Sequence, residues 1–144
     1  MTIEYPSVDR LFDALPVCIA YVDDSVRYGI LNATYERWFE LPAAQVIGRT
    51  VREVVAETAY ARIRPHLKGA LAGDRREFED EMSYAQGGTR FVSATYVPDR
   101  APEGRVAGFH DVISETSDRK LLEREVAKAA VEEQQRIGRG KQRT

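Results

Sequence analysis

Few side chains in this chain have the chemistry to act on a substrate. There is one cysteine, Cys18, so no internal disulfide can form, and no Cys-x-x-Cys pair or Cys/His cluster exists. The two histidines, His66 and His110, lie far apart in sequence and offer no metal-ligand spacing. Glu77, Glu79 and Glu81 alternate along an extended run, which is how the solvated face of a sheet reads. No Ser/His/Asp arrangement and no phosphate-cradling glycine loop is present. Asp80 and Asp111 are the thin candidates for an acid–base enzyme, and either would have to face a cavity and titrate abnormally. The expectation is therefore no enzyme and no metal. A binding pocket is a better prospect. Tyr28, Asn32, Tyr35 and Trp38 bunch around one helix start with polar tips able to orient a small ligand, and Tyr21, Phe91 and Phe109 add aromatic walls. The same residues also suit a plain core.

Those candidates must be positioned by a few short elements. "SVDRLFDALP" is a short helix with Val8, Leu11, Phe12 and Leu15 on one face and Pro16 as its stop. "VCIAYVDD" and "RYGIL" are two strands about a "DDSV" turn, and "NATYERWFE" is a helix capped by Asn32. "LPAAQVIG" forms another, with Pro42 at its first position and Gly48 beyond its end. Thr50 and Glu53 have capping-box spacing. "ETAYARIRPHLKGALAGD" is helical by composition, with a kink or a fresh start expected at Pro65.

After Gly73 the period becomes two. "REFEDEMSY", "TRFVSATYV" and "RVAGFHDVIS" are strands, the first pair joined at Gly87-Gly88 and the second by a "PDRAPEG" loop. A polar helix then runs from about Ser117 to about Ile137, with a weak heptad at Leu122, Val126 and Ala129. The layout is α+β: a five-stranded antiparallel sheet with short helices packed on one face and a long C-terminal helix.

Composition agrees with one domain. The chain has 144 residues, 43% hydrophobic and 31% charged, with a formal net charge of -2. That charge gives no electrostatic case for nucleic acid as partner. No apolar run is long enough to span a bilayer, and "MTIEYPSVDR" lacks the form of a signal peptide, so the expected location is the cytoplasm.

The order of several short motifs resembles the PAS family over nearly the whole chain: Leu15-Pro16, Asp23 closing a strand, Asn32 opening the first core helix, Ile47-Gly48-Arg49, and a closing "ETSDRK" at Glu115, Thr116, Ser117, Asp118, Arg119 and Lys120. The closing motif carries Glu115 where the family commonly has Asp, although Asp111 is an alternative acid. The resemblance implies a flanking helix over residues 1–16, a sensor core over 17–116 and a signalling helix and tail over 117–144. It implies a homodimer formed through Leu11, Phe12, Leu122, Val126 and Ala129. A ligand- or partner-induced change would pass through Glu115, Asp118, Arg119 and Lys120 to an effector such as a histidine kinase. A ligandless docking module is the alternative. Flavin-binding relatives carry a reactive cysteine on a core helix, whereas Cys18 falls on the first strand. Haem-binding relatives use a histidine on the long core helix, but His66 follows Pro65 in a polar stretch and reads as an exposed helix-end residue. Neither cofactor is expected, and a small-molecule ligand stays open. Finally, "EEQQRIGRG" resembles the start of a histidine-kinase dimerisation helix, but "GKQRT" follows without a phosphate-accepting histidine. A solvated helix end reads equally well.

Overall fold

The computed structural model describes residues 3–84, 88–116 and 118–141, with backbone alone at 118–122 and 139–141. Five strands, β1 (Cys18–Asp23), β2 (Tyr28–Leu31), β3 (Arg76–Tyr84), β4 (Gly88–Arg100) and β5 (Val106–Glu115), form one sheet in the order β2-β1-β5-β4-β3. Every pairing is antiparallel. The helices are α1 (Val8–Ala14), α2 (Ala33–Phe39), α3 (Ala43–Val46), α4 (Val51–Val54), α5 (Glu57–Leu71) and α6 (Asp118–Lys141).

Alternation along the strands decides which face is covered. Cys18, Ala20 and Val22 on β1, Val92, Ala94 and Tyr96 on β4, and Phe109, Asp111 and Ile113 on β5 are all buried. On this inner face lie α2 with Tyr35, Trp38 and Phe39, α3 with Val46, α4 with Val51 and Val54, and α5 with Ala59, Ile63 and Leu67. Strand β3 keeps Met82 and Tyr84 inward and Glu77, Glu79 and Glu81 exposed, as its spelling implies.

The sequence motifs turn out to be joints. Asn32 Oδ1 accepts from Ile19 N at 3.0 Å and Tyr35 N at 3.4 Å, while its Nδ2 donates to Phe12 O at 3.1 Å and Val17 O at 2.8 Å. One side chain thus caps α2 and ties it to the chain entering β1. Asp23 Oδ1 accepts from Ser25 N and Arg27 N, closing the β1–β2 turn. Gly48 N donates to Tyr28 O at 2.8 Å, and Arg27 Nη1 donates to Gly48 O at 2.7 Å, which docks the end of α3 on β2. Gly48 does this with φ +89°, open to glycine at little cost. Thr50 and Glu53 form the expected capping box.

Three expectations need correction. Helix α5 makes no fresh start at Pro65 but runs unbroken through it; Pro65 and Ala61, whose carbonyl loses its helical donor, are both exposed, so that carbonyl is open to solvent. Pro42 is the N-cap of α3, not its first helical residue. The "PDRAPEG" loop is shorter than expected, because β4 continues through Pro98 to Arg100. Pairing with β3 ends at Arg76 with Tyr96, so Pro98 lies where β4 is paired on one side only and a missing N–H is tolerated.

Candidate functional site

Between the inner face of the sheet and α2, α4 and α5 is a small cavity of about 10 Å3, the room that one water needs. Its lining includes Tyr28 of β2, Tyr35 of α2, Tyr84 of β3, Tyr96 of β4, and Phe109 and Asp111 of β5, with Ile63 and Leu67 closing it from α5. The aromatic packing is dense. Tyr35 stacks on Phe39 at 4.7 Å, Tyr28 and Tyr84 meet Phe39 edge-on at 5.8 and 5.1 Å, and Tyr96 lies 4.7 Å from Phe109.

Asp111 is the charged side chain in this core, 3% exposed. Tyr35 Oη donates to its Oδ2 at 2.5 Å, while Oδ1 has no partner. Burial pushes the carboxyl up to about 7, and the Tyr35 hydrogen bond pulls the other way. Burial, with the Asp111 charge behind it, holds Tyr28, Tyr35, Tyr84 and Tyr96 well above the usual phenol range. The same two causes raise the Cys18 thiol, which stays a neutral, buried residue of β1.

Of the pocket residues expected from sequence, Tyr28, Tyr35 and Phe109 meet at the cavity. Four do not. Tyr21 points to the outer face, because Cys18, Ala20 and Val22 take the inner one; it lies across Gly108 to donate to Asp99 Oδ2 at 2.8 Å and meets His110 edge-on at 5.5 Å. Phe91 is on the outer face too, since Val92, Ala94 and Tyr96 point inward; Arg124 of α6 sits 5.5 Å from its ring. The Asn32 amide is fully engaged in the α2 cap. Trp38 lies one step from the cavity, edge-on to Tyr84 at 6.4 Å and beneath the Arg90 guanidinium at 4.7 Å. Tyr84 was absent from the expected pocket, although alternation with Met82 on β3 is the signal that places it inward.

The remaining candidates separate clearly. Asp80 pairs with Arg62 of α5 at 3.0 Å and is not among the cavity residues. His66 lies within α5, not at its end, half-buried and stacked on Phe78 at 3.9 Å. Burial, then the charge of Arg76, lowers its basicity. His110 is exposed on the outer face, on the opposite side of β5 from Asp111. Glu115 ends β5 and accepts from Arg90 Nη1 at 3.2 Å, whereas Asp111 lies within the strand. The backbone of α6 begins at Asp118, with two residues between it and Glu115. Ser117 and the side chains of Asp118, Arg119, Lys120 and Leu122 lie outside the described residues.

Of the proposed dimer residues, Leu11 and Val126 are 55% and 61% exposed, and Ala129 is exposed. Phe12 is half-buried at a groove of about 200 Å3 shared with Ile19, Ala20, Tyr21, Ile30 and His110. Among the described residues no helix is long and apolar enough to cross a membrane.

Comparison with known proteins gives the architecture a family. A curated relative, the methanogenesis regulatory histidine kinase FilI of Methanothrix harundinacea (strain 6Ac), is 29% identical over 110 residues, 76% of this chain. The chain spans only 12% of that relative's length. The crystal structure of a PAS domain from Colwellia psychrerythraea superposes with a TM-score of 0.65 at 17% identity, covering 74% of this chain and 92% of that one. The structure of VqmA bound to DPO gives a TM-score of 0.66 at 23% identity, over 79% of this chain and 58% of that one. A sequence profile of the PAS fold matches residues 12–121, so the chain belongs to the PAS family.

Proposed function

We propose that this chain is a PAS sensor and signal-transduction module that works as a homodimer in the cytoplasm. It passes a change at the Asp111 cavity through α6 to an effector, of which a histidine kinase is the kind its relative suggests. The observation that carries this reading is an unbroken series of contacts. Tyr84 borders the cavity and meets Trp38; Trp38 lies under Arg90; Arg90 holds Glu115, the last residue of the strand that leads into α6. With two residues between β5 and α6, a small shift at Glu115 has little slack in which to dissipate. The exposed Val126, Val131 and Ile137 on α6 favour a partner helix over a helix alone in water.

One observation favours the second reading, a ligandless docking module: a cavity of about 10 Å3 holds no organic ligand as it stands. The same volume weighs against an acid–base enzyme, even though Asp111 faces a cavity and burial raises its carboxyl. Native mass spectrometry of the chain and of residues 1–116 tests the proposal. The expected result is a dimer that weakens on truncation while the core stays folded. A dimer unchanged by the cut would refute the role of α6.

A further inference from the structure

The core holds two polar atoms that face one cavity without partners. Asp111 Oδ1 is one and Tyr84 Oη the other. A buried polar atom left unpaired costs free energy, and a buried unpaired charge costs more. What faces Asp111 decides whether it can keep that charge. From β1 comes Cys18, from β2 Tyr28, from α2 Tyr35, from β3 Tyr84 and from β4 Tyr96, and each of these five groups is neutral near pH 7 because burial raises it. Helix α5 contributes only apolar side chains, Ile63 and Leu67. Arg90 and Arg37 act on Cys18, and Arg90 also on Tyr84, but the Arg90 guanidinium is held over Trp38 and bonded to Glu115, and that of Arg37 donates to Thr34 Oγ1. Among the described residues no cation pairs with Asp111. A single phenol hydrogen bond therefore stands against the whole cost of burial, and neither charge state is locked.

Resting on the sensor reading above, we propose that the signal this module binds is the proton, taken up and released by Asp111. The two forms make different demands on the surrounding elements. Protonated, Asp111 carries an O–H of its own and can donate through Oδ1 to Tyr84 Oη or to one water. Ionised, with its proton released to solvent, it accepts only, and draws the hydroxyls of Tyr35 and Tyr84 towards it. Tyr35 belongs to α2 and Tyr84 to β3, so the change of charge pulls a core helix and a sheet edge towards β5. Tyr84 also meets Trp38, beneath the arginine that grips Glu115. A cavity of one-water size suits this signal, because a proton needs no volume.

The test is a carbon-13 NMR titration of aspartate carboxyl groups in the full chain between pH 5 and 9. Asp111→Asn assigns the signal, and Tyr35→Phe, which keeps the stacked ring, removes the opposing hydrogen bond. The expected result is one aspartate with a midpoint near 7, moved upward in Tyr35→Phe, and amide signals of α2, β5 and residues 118–141 that follow the same midpoint. Titration complete below pH 5, or a midpoint indifferent to Tyr35→Phe, overturns the proton site, and this reading needs only the wild type and Tyr35→Phe if Asp111→Asn does not fold. A midpoint near 7 followed by α2 and β5 but not by residues 118–141 leaves the site standing and overturns the sensor reading instead.

Discussion

Replacing Asp111 with Asn should make the protein more stable as pH rises, and the size of the effect follows from burial. Unfolded, the carboxyl titrates at its ordinary value of 3.8; folded, at about 7. Between these values the folded state binds more protons than the unfolded one, so stability falls as pH increases. The contribution is fully present below about pH 4 and lost by the time pH passes 7. The slope is about 1.4 kcal/mol per pH unit, and the integrated loss about 4 kcal/mol. From pH 5 to pH 8 the wild type should lose about 3 kcal/mol from this group alone. Asn keeps the size and can accept from Tyr35 through its oxygen, yet does not titrate. Urea unfolding of both proteins at fixed concentration, at pH 5, 6, 7 and 8, isolates the term, since other carboxylates cancel in the difference. The stability of Asp111→Asn minus that of the wild type should grow by about 3 kcal/mol across the range. A flat difference would show that Asp111 is hydrated or paired in solution, and the reasoning from burial would fail.

Other perturbations probe the joints. Asn32→Ala removes the α2 cap, worth about 1 kcal/mol, and strands buried backbone groups at Ile19 and Val17 at about 1–3 kcal/mol more. A drop in melting temperature of roughly 10 °C is expected by calorimetry, and a change under 2 °C would contradict the hydrogen bonding described. Gly108→Ala places a Cβ 2.3 Å from Val22 O and 2.7 Å from Tyr21 Oη. The β1–β5 pairing must yield, at a cost of about 2 kcal/mol in urea unfolding; a neutral result would mean that the strands lie farther apart.

Much of this arrangement was legible because local rules and tertiary contacts agree. Asn32 caps α2, Thr50 and Glu53 make their box, and β3 alternates as spelled. The errors fall where local chemistry leaves two answers. Strand β1 is apolar on both sides, with Cys18, Ala20 and Val22 against Ile19 and Tyr21, so its period does not say which side is inside. The small residues win because α2, with Tyr35, Trp38 and Phe39, needs the space, which sends Tyr21 outward. Asn32 carried two readings, cap and ligand contact, because an amide that can orient a ligand can equally bond four backbone atoms, and only the fold shows those atoms converging. Pro98 and Pro65 mislead for one reason: each lacks a bond that water or a strand's free side makes unnecessary. Asp111 was the recoverable one. Its parity with Phe109 and Ile113 already placed a carboxyl inside.

Strand β3 closes one side of the sheet, and its outer backbone is only partly covered. Near its end Ala56 N donates to Ser83 O and the Arg62 guanidinium to Glu81 O. From Arg76 towards Asp80 β3 pairs only with β4 among the described residues, and there Glu77 and Glu79 stand on the exposed face, paired with Arg75 at 2.9 Å and Arg124 at 3.4 Å. A second copy approaching edge to edge would have to crowd these charged pairs against its own and strip water from them, which discourages runaway strand addition. Strong salt screens such charges, so self-association through β3 should be sought at raised ionic strength by light scattering. The edge is guarded by charge, and its protection against aggregation lasts only as long as that charge does.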